Sequence, residues 1–290
     1  MAASLYIVAT PIGNLEDISA RALRILSDVK RIYAEDTRVI QGLLTHFGIQ
    51  NNLLSLHEHN EQQRLSGLLT ALAAGDDIAL VSDAGTPLIS DPGYRVVREV
   101  SAAGFQVIPI PGASALIAAL SVAGLPTDRF AFEGFLPAKP AARRNALTAL
   151  QQEPRTLVFY ESSHRIAGLL ADMETHLGAE RHLVIARELS KLYEQVYRGT
   201  VAELRTQLEQ DNNMRRGEFV VMVAGQEAAT PSREISDEVR QLIQTLLAED
   251  LPLKQTARIA ARLTGLPKNT LYRQALLLSD VADVSESEVT

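Results

Sequence analysis

Short apolar runs alternate with amphipathic stretches over the first 120 positions. Runs at 5–10, 29–34, 53–57, 78–82 and 106–110 predict strands. Between and after them, apolar residues at helical spacing predict helices over 18–26, 38–47, 62–74, 96–103 and 114–122, three of them closed by Gly48, Gly75 or Gly104. The run 78–82 is apolar almost throughout, as in a strand covered on both faces. Strands separated by helices of this length predict a parallel sheet. Gly124-Leu125-Pro126 reads as a boundary. After it come an apolar segment at 130–135, a helix near 142–150, a strand at 156–160, a helix at 165–177 and a strand at 183–186. Strand-like pieces at 194–198 and 219–223 flank a helix at 201–208, and strands adjacent in sequence predict a mixed sheet. From about 231 three helical patterns follow, at 234–249, 253–264 and 267–278. The tail from Asp280 holds acids and no base and reads as disordered. The fold class is α/β. Residues 1–123 form an α/β domain with a parallel sheet, 124–230 a second with a mixed sheet, and 231–290 a small helical module.

Composition narrows the function classes. The chain has 290 residues, 46% hydrophobic and 22% charged, which is ordinary for a globular protein. There is no cysteine, so disulfides, thiolate metal sites and a cysteine nucleophile are excluded. With no Trp, 7 Tyr and 7 Phe, an aromatic platform for single-stranded nucleic acid is not expected. The first residues lack a basic start and the apolar run stops at Pro11, so no signal peptide is expected there. No stretch reaches the roughly 20 apolar residues of a membrane span. The chain is expected to be cytoplasmic, with no membrane partner.

Three loops at predicted strand ends carry the candidate chemistry. The first, Thr10-Pro11-Ile12-Gly13-Asn14-Leu15, is neither a G-x-G-x-x-G nor a Walker A loop, and alone it also reads as a tight turn. The second runs from Ser82 to Gly93 and holds two acids, two prolines and two glycines. A loop of this kind beyond a parallel strand is where such sheets bind ligands. Within it Asp91, with Pro92 behind, reads as the cap of the next helix. The third, Pro111-Gly112-Ala113-Ser114-Ala115, opens a helix with small residues that let a ligand approach the backbone. Polar clusters stand at other strand ends: 35–38, 57–61, 161–165 and 187–188. His57 and His59 lack a third ligand at metal spacing, so no metal site is expected.

Together these residues resemble the tetrapyrrole-methylase superfamily, the class III S-adenosylmethionine-dependent methyltransferases. Within it the chain is most similar to the small-subunit ribosomal RNA cytidine-2′-O-methyltransferase I family. That family carries strings such as Thr-Pro-Ile-Gly-Asn-Leu, Glu-Asp-Thr-Arg, Ser-Asp-Ala-Gly-Thr-Pro, Phe-Tyr-Glu-Ser-Ser-His-Arg and Ala-Arg-Glu-Leu, present here at 10–15, 35–38, 82–87, 159–165 and 186–189. The strand-1 loop departs from the superfamily's glycine-rich form. The resemblance implies two α/β domains of tetrapyrrole-methylase type with S-adenosyl-L-methionine in the cleft between them. It implies binding by Pro11, Ile12 and Gly13, by Asp83, Ala84, Gly85, Thr86, Pro87 and Leu88, and by Ser114 and Ala115. From the second domain it implies Tyr160, Phe219 and Val220. It also implies a homodimer and a substrate in the decoding region of 16S rRNA within the 30S subunit.

A ribose 2′-hydroxyl becomes a competent nucleophile when a carboxylate or imidazole accepts its proton. Candidates are Asp36, His57, Glu161 and Glu218, with Arg38, Arg165 and Arg187 as phosphate contacts. No metal is required. The net charge of −7 opposes nonspecific RNA binding. The opposing sign is local. Lys254, Arg258, Arg262, Lys268 and Arg273 lie in 251–279 with no acid among them, and are expected to meet rRNA phosphates. Two alternatives use other features: methylation of a tetrapyrrole or a protein side chain in the same cleft, and a non-catalytic ribosome-binding protein.

Overall fold

A computed structural model describes residues 3–57, 60–226 and 235–286. The chain divides into two compact units, 1–226 and 227–290. The predicted His59 falls outside the described residues.

The first half of the larger unit is a parallel sheet. Its strands are β1 (Ser4–Val8), β2 (Arg31–Ala34), β3 (Leu53–Ser55), β4 (Ile78–Val81) and β5 (Gln106–Ile110), in the order β3-β2-β4-β1-β5. Its helices are α1 (Ala20–Asp28), α2 (Thr37–His46), α3 (Glu61–Ala73), α4 (Tyr94–Ala102) and α5 (Ala115–Ala123). Side-chain alternation divides the strands between two cores. Val8, Ile32, Ala79, Val81 and Ile110 pack against Ala22 and Leu26 of α1 and Ile40 and Leu44 of α2. Leu5, Tyr33, Ile78 and Leu80 pack against Leu68 and Leu72 of α3 and Val96 and Val100 of α4. Both faces being covered explains the unbroken apolar run of β4. β1 and β4 are neighbours, yet the chain leaves β1 toward β2 and β4 toward β5. The carboxyl ends of these two strands therefore flank a topological switch point, where open α/β sheets form crevices.

The second half is a mixed sheet, as the adjacent strands predict. It is built from β6 (Phe130–Phe135), β7 (Thr156–Ser162), β8 (His182–Arg187), β9 (Gln195–Thr200) and β10 (Glu218–Val223), in the order β6-β7-β10-β8-β9. Only β6 and β7 are parallel; the other pairs are antiparallel. Helices α6 (Pro140–Ala149), α7 (Ile166–Leu177) and α8 (Val201–Gln210) bury Leu147, Leu169, Leu170, Met173 and Leu204 against Leu157, Phe159, Ile185 and Val221. The other face carries Val158, Val184, Ala186, Val220 and Met222. It is covered by Leu116, Ala119, Leu120 and Ala123 of α5. Thus α5, which belongs to the first half by sequence, packs on the second sheet and ties the halves into one unit.

The smaller unit holds α9 (Asp237–Ala248), α10 (Leu253–Thr264) and α11 (Lys268–Glu286) around Ile243, Ala257, Ala260, Leu271 and Ala275. Ser236 caps α9 by accepting from the Val239 N–H at 3.4 Å, and Gly265 ends α10 in the left-handed region. The expectation of disorder from Asp280 is corrected: α11 runs on through Glu286. No Gly or Pro interrupts it, and each added residue gains a backbone hydrogen bond once a helix has started. Residues 287–290 lie outside the described residues. Among the described residues no helix is long and apolar enough to cross a membrane.

Candidate active site

The three loops singled out in the sequence meet beyond the carboxyl ends of β1, β4 and β5. They are fastened to one another by short-range chemistry. Thr10 and Gly85 exchange backbone hydrogen bonds of 2.9 and 3.0 Å, and the Thr10 hydroxyl donates to the Ser82 carbonyl at 3.1 Å. Gly85 holds φ +81, and an added Cβ would stand 3.3 Å from Ile12 Cγ2, so glycine suits this close crossing. The Thr86 hydroxyl donates to the Ala113 carbonyl at 3.0 Å. Asp83 accepts from the Asp36 N–H at 2.9 Å, which joins the end of β2 to the group.

The second sheet supplies the opposite wall. Its period-two alternation turns Tyr160, Ser162, Ala186 and Val220 toward α5 and the loops. Tyr160 Oη accepts from the Leu116 N–H at 3.2 Å, in the first turn of α5. The Tyr160 ring meets Phe132 and Phe135 edge-on, with centroids 4.9 and 5.6 Å apart. The segment after β8 reaches back across the opening. Lys191 Nζ lies 3.0 Å from Glu188 Oε1 and 2.8 Å from Glu218 Oε2. The Ser190 hydroxyl donates to the Asp17 carboxylate beside the first loop. Glu188 and Ser190 adopt positive φ, of 51° and 66°, in a turn that this network holds.

These walls enclose a cavity of about 400 Å³, within the span of small-molecule sites, about 300–1,000 Å³. Of the residues assigned to a cofactor from sequence, Ile12, Asp83, Ala84, Gly85, Thr86, Ser114, Ala115, Tyr160, Phe219 and Val220 line it. Pro11, Gly13, Pro87 and Leu88 do not. Gly13 instead lets the Lys191 stem lie against the first loop, and Leu88 packs into the core under α4.

The four candidate proton acceptors separate. Glu218 and Glu161 border the cavity. The Glu218 side chain is 81% exposed and its carboxylate is bonded to Lys191. Glu161 lies across from Phe219 in register, on the face turned toward α6 and α7 rather than toward α5. It is buried, accepts from the Ser162 N–H at 2.8 Å and lies 3.1 Å from Arg165 Nε; burial raises its pKa. Asp36 and His57 lie outside the cavity. The Arg38 fork clamps Asp36 and holds its carboxyl down at about 2. His57 Nε2 is 3.0 Å from the Asn60 amide nitrogen.

The arginines assigned to phosphate also differ. Arg38 is exposed. Arg165 is partly buried and donates to the Leu136 carbonyl. Arg187 is buried and donates to the carbonyls of Arg216 and Tyr193 and to Gln195, so its guanidinium is spent inside the protein. In the smaller unit Lys254, Arg258, Arg262, Lys268 and Arg273 are all exposed. The first three, spaced four apart, share one face of α10.

Sequence reading missed Glu35, Ser90, Asp91, Phe135, Glu188 and Lys191 on the cavity wall. Glu35 and Glu188 stood in strand-end polar clusters, which was the available signal; Phe135 had none. The helix cap expected at Asp91 is corrected. Helix α4 begins at Tyr94 with Gly93 as its N-cap, and Glu61 of α3 accepts from the Val96 N–H at 3.3 Å instead. Asp91 is thereby left on the cavity wall, where burial and the neighbouring Asp83 raise its pKa. Glu35 is raised likewise, first by burial and then by Asp83, Asp91 and Asp36.

The family model of Tetrapyrrole (Corrin/Porphyrin) Methylases matches residues 4–205, and that of the RsmI C-terminal HTH domain matches 233–279. Among curated proteins, the Pseudomonas aeruginosa ribosomal RNA small subunit methyltransferase I is 54% identical over 95% of this chain and 97% of its own. The Escherichia coli O157:H7 protein of that name is 53% identical over 94% of each chain. Solved structures share the fold at lower identity. A diphthine synthase superposes with a TM-score of 0.59 at 16% identity, over 77% of this chain and 90% of that one. A Thermus thermophilus uroporphyrin-III C-methyltransferase complexed with S-adenyl homocysteine gives 0.51 at 19%, over 76% and 97%.

Proposed function

Because the chain belongs to the ribosomal RNA small subunit methyltransferase I family, within the tetrapyrrole (corrin/porphyrin) methylases, we propose that it methylates 16S rRNA with S-adenosyl-L-methionine as donor. The acceptor is the ribose 2′-hydroxyl of a cytidine in the decoding region, on the assembled 30S subunit. The observation that carries this reading is the cavity at the switch point, braced by three loops and walled by the second sheet.

The residues present suit the donor. Ser82 is buried beside the Asp91 carboxylate, and the Ser114 hydroxyl makes no cap bond at the start of α5. These hydroxyls and the loop backbone suit the polar ends of the donor. Ile12, Ala115 and Val220 offer apolar surface for its adenosine, and Glu35 and Asp83 suit a cation. When bound, S-adenosyl-L-methionine supplies a methyl group on a positively charged sulfur. The chain's own part is to align the hydroxyl behind that methyl, to exclude water and to take up the hydroxyl proton.

The basic face of α10, with Lys268 and Arg273, supports docking on rRNA phosphates despite the net negative charge. Homodimer formation and a cytoplasmic location belong to the same reading.

The test is incubation with methyl-labelled donor and three acceptors: 30S subunits, naked 16S rRNA and a tetrapyrrole precursor. Label recovered as 2′-O-methylcytidine from 30S subunits is expected. Donor binding with no label in either RNA sample overturns the assignment and favours a tetrapyrrole or protein acceptor.

A further inference from the structure

A second cavity, of about 570 Å³, adjoins the first. Glu35, Ser90 and Asp91 line both, and Glu61, Tyr94 and Arg95 line only the second. We propose that this second cavity receives the acceptor nucleoside, and that Asp91, in the wall common to both, accepts the 2′-hydroxyl proton. The inference rests on the functional reading above and assigns the two sides of that reaction.

The geometry favours this division. Methyl transfer needs donor and acceptor in line across a short gap, so the acceptor site must open onto the donor site. The second cavity lies against the first along three shared residues. Its size suits a nucleoside, and its wall is polar rather than apolar. Glu35 and Glu61 bring carboxylates to it, and a carboxylate accepts from the exocyclic amine of cytosine, a donor that uracil lacks at that position. Tyr94 is exposed at the rim beside Arg95, with the Arg98 guanidinium 5.9 Å over its ring.

Asp91 is held for its task by the backbone. Leu88, Ser90 and Gly93 around it have φ of 72°, 73° and 126°. A non-glycine residue at positive φ costs energy and marks a segment held by its surroundings. Glu61 of α3 serves the start of α4, so Asp91 is not needed there. Facing Asp91 are Glu35, Asp83 and Ser82 from the first sheet, Tyr160 from β7, Glu61 from α3 and Arg95 from α4. In the step itself, the O–CH₃ bond forms as the C–S bond breaks. The sulfur leaves as a neutral thioether, and the hydroxyl proton passes to the Asp91 carboxylate and on to solvent.

The test compares wild type, Asp91→Asn and Glu61→Gln. Measured are single-turnover transfer to 30S subunits across pH, donor affinity by calorimetry, and the thermal midpoint. For Asp91→Asn the rate is expected to fall by about 10²–10⁴, with donor affinity within about twofold of wild type. The wild-type rate should climb with pH as Asp91 loses its proton, through a midpoint above the ordinary aspartate value of 3.8. Glu61→Gln keeps an oxygen for the Val96 N–H, and it should raise KM for subunits while leaving kcat near wild type. An Asp91→Asn enzyme with its rate intact, or one that loses donor affinity in step with rate, overturns the proposal. An unchanged KM in Glu61→Gln overturns the acceptor assignment. Wild type that binds donor yet labels no RNA overturns the functional reading, and this proposal with it.

Discussion

Replacing Tyr160 by Phe isolates one hydrogen bond at the junction of the two sheets. The Leu116 N–H lies in the first turn of α5, where backbone donors have no partner within the helix. Its acceptor is the Tyr160 phenol at 3.2 Å, and the Ser114 side chain makes no cap bond. Phenylalanine keeps the ring and its edge-on contacts with Phe132 and Phe135. The loss is therefore the bond, about 0.5–1.5 kcal/mol, plus the penalty of a stranded donor where water cannot replace the phenol. Leu116 is 8% exposed, so water reaches this donor poorly. We expect a total of about 1–2 kcal/mol, a fall of about 2–8 °C in the midpoint of a unit this size. Alanine removes the ring as well, and because Tyr160 is only partly buried we expect about 2–4 kcal/mol, below the full large-to-small range. Urea unfolding of wild type and both variants, read on the larger unit's transition, gives the three values. A Phe variant at the wild-type midpoint would refute the reasoning. So would a Phe variant as damaged as the Ala variant, since the bond would then be inseparable from the ring.

Three further outcomes are expected. Gly85→Ala puts a Cβ 3.3 Å from Ile12 Cγ2 at φ +81; it should cost roughly 1–2 kcal/mol and weaken donor binding, and an unchanged urea midpoint with full donor affinity would count against the loop bracing. Burial raises the Glu161 pKa from its reference of 4.5, so its contribution to stability is complete below that value and is lost as pH rises through the folded value. Wild-type stability minus that of Glu161→Gln should therefore fall as pH climbs above 4.5, and a difference that is flat or rising from pH 4 to 8 would contradict the assignment. Replacing Lys254, Arg258 and Arg262 together by Ala should leave the thermal midpoint near wild type and lower rRNA affinity, with a log–log salt slope shallower by about 2–3; an unchanged slope would show that these residues meet no phosphate.

The parts legible in sequence are those whose signal is local. Strand β4 was readable because both of its faces are covered and its run stays apolar. The three loops were readable because glycines, prolines and acids concentrate where the chain turns at a strand end. Helix α5 shows the limit. Its sequence, ALIAALSVA, is apolar nearly all round, so no polar face betrays its partner, and its packing on the second sheet is not announced by its place in the chain. The extent of α11 was hidden by charge, since a run of acids is compatible with an exposed helix as well as with a disordered tail. Asp91 was misread for a related reason. Asp-Pro before a helix is a strong cap signal, but the competing partner, Glu61 on α3, lies 35 positions away from Val96. Nothing local to residues 88–94 announces it.

The choice between Glu161 and Asp91 turns on what holds each acid rather than on residue type. Both are acids at the edge of the cavity and both have raised pKa values from burial. Successive side chains of a strand point to opposite faces. Tyr160 reaches Leu116 of α5, so Glu161 must point to the other face, and its register partner Phe219 joins the core under α6 and α7. There it lies beside Arg165, while Arg143 donates to Asp172 at 2.7 Å nearby on α6 and α7. Glu161 borders the cavity, but its carboxylate is engaged by the Ser162 N–H and by Arg165, which ties the end of β7 to the start of α7. Asp91 sits on a loop, free of that constraint, on the wall that both cavities share. Burial acts on both acids alike; what separates them is that Glu161 is bound to Ser162 and Arg165 at the end of β7, whereas Asp91 stands where the two cavities share their lining.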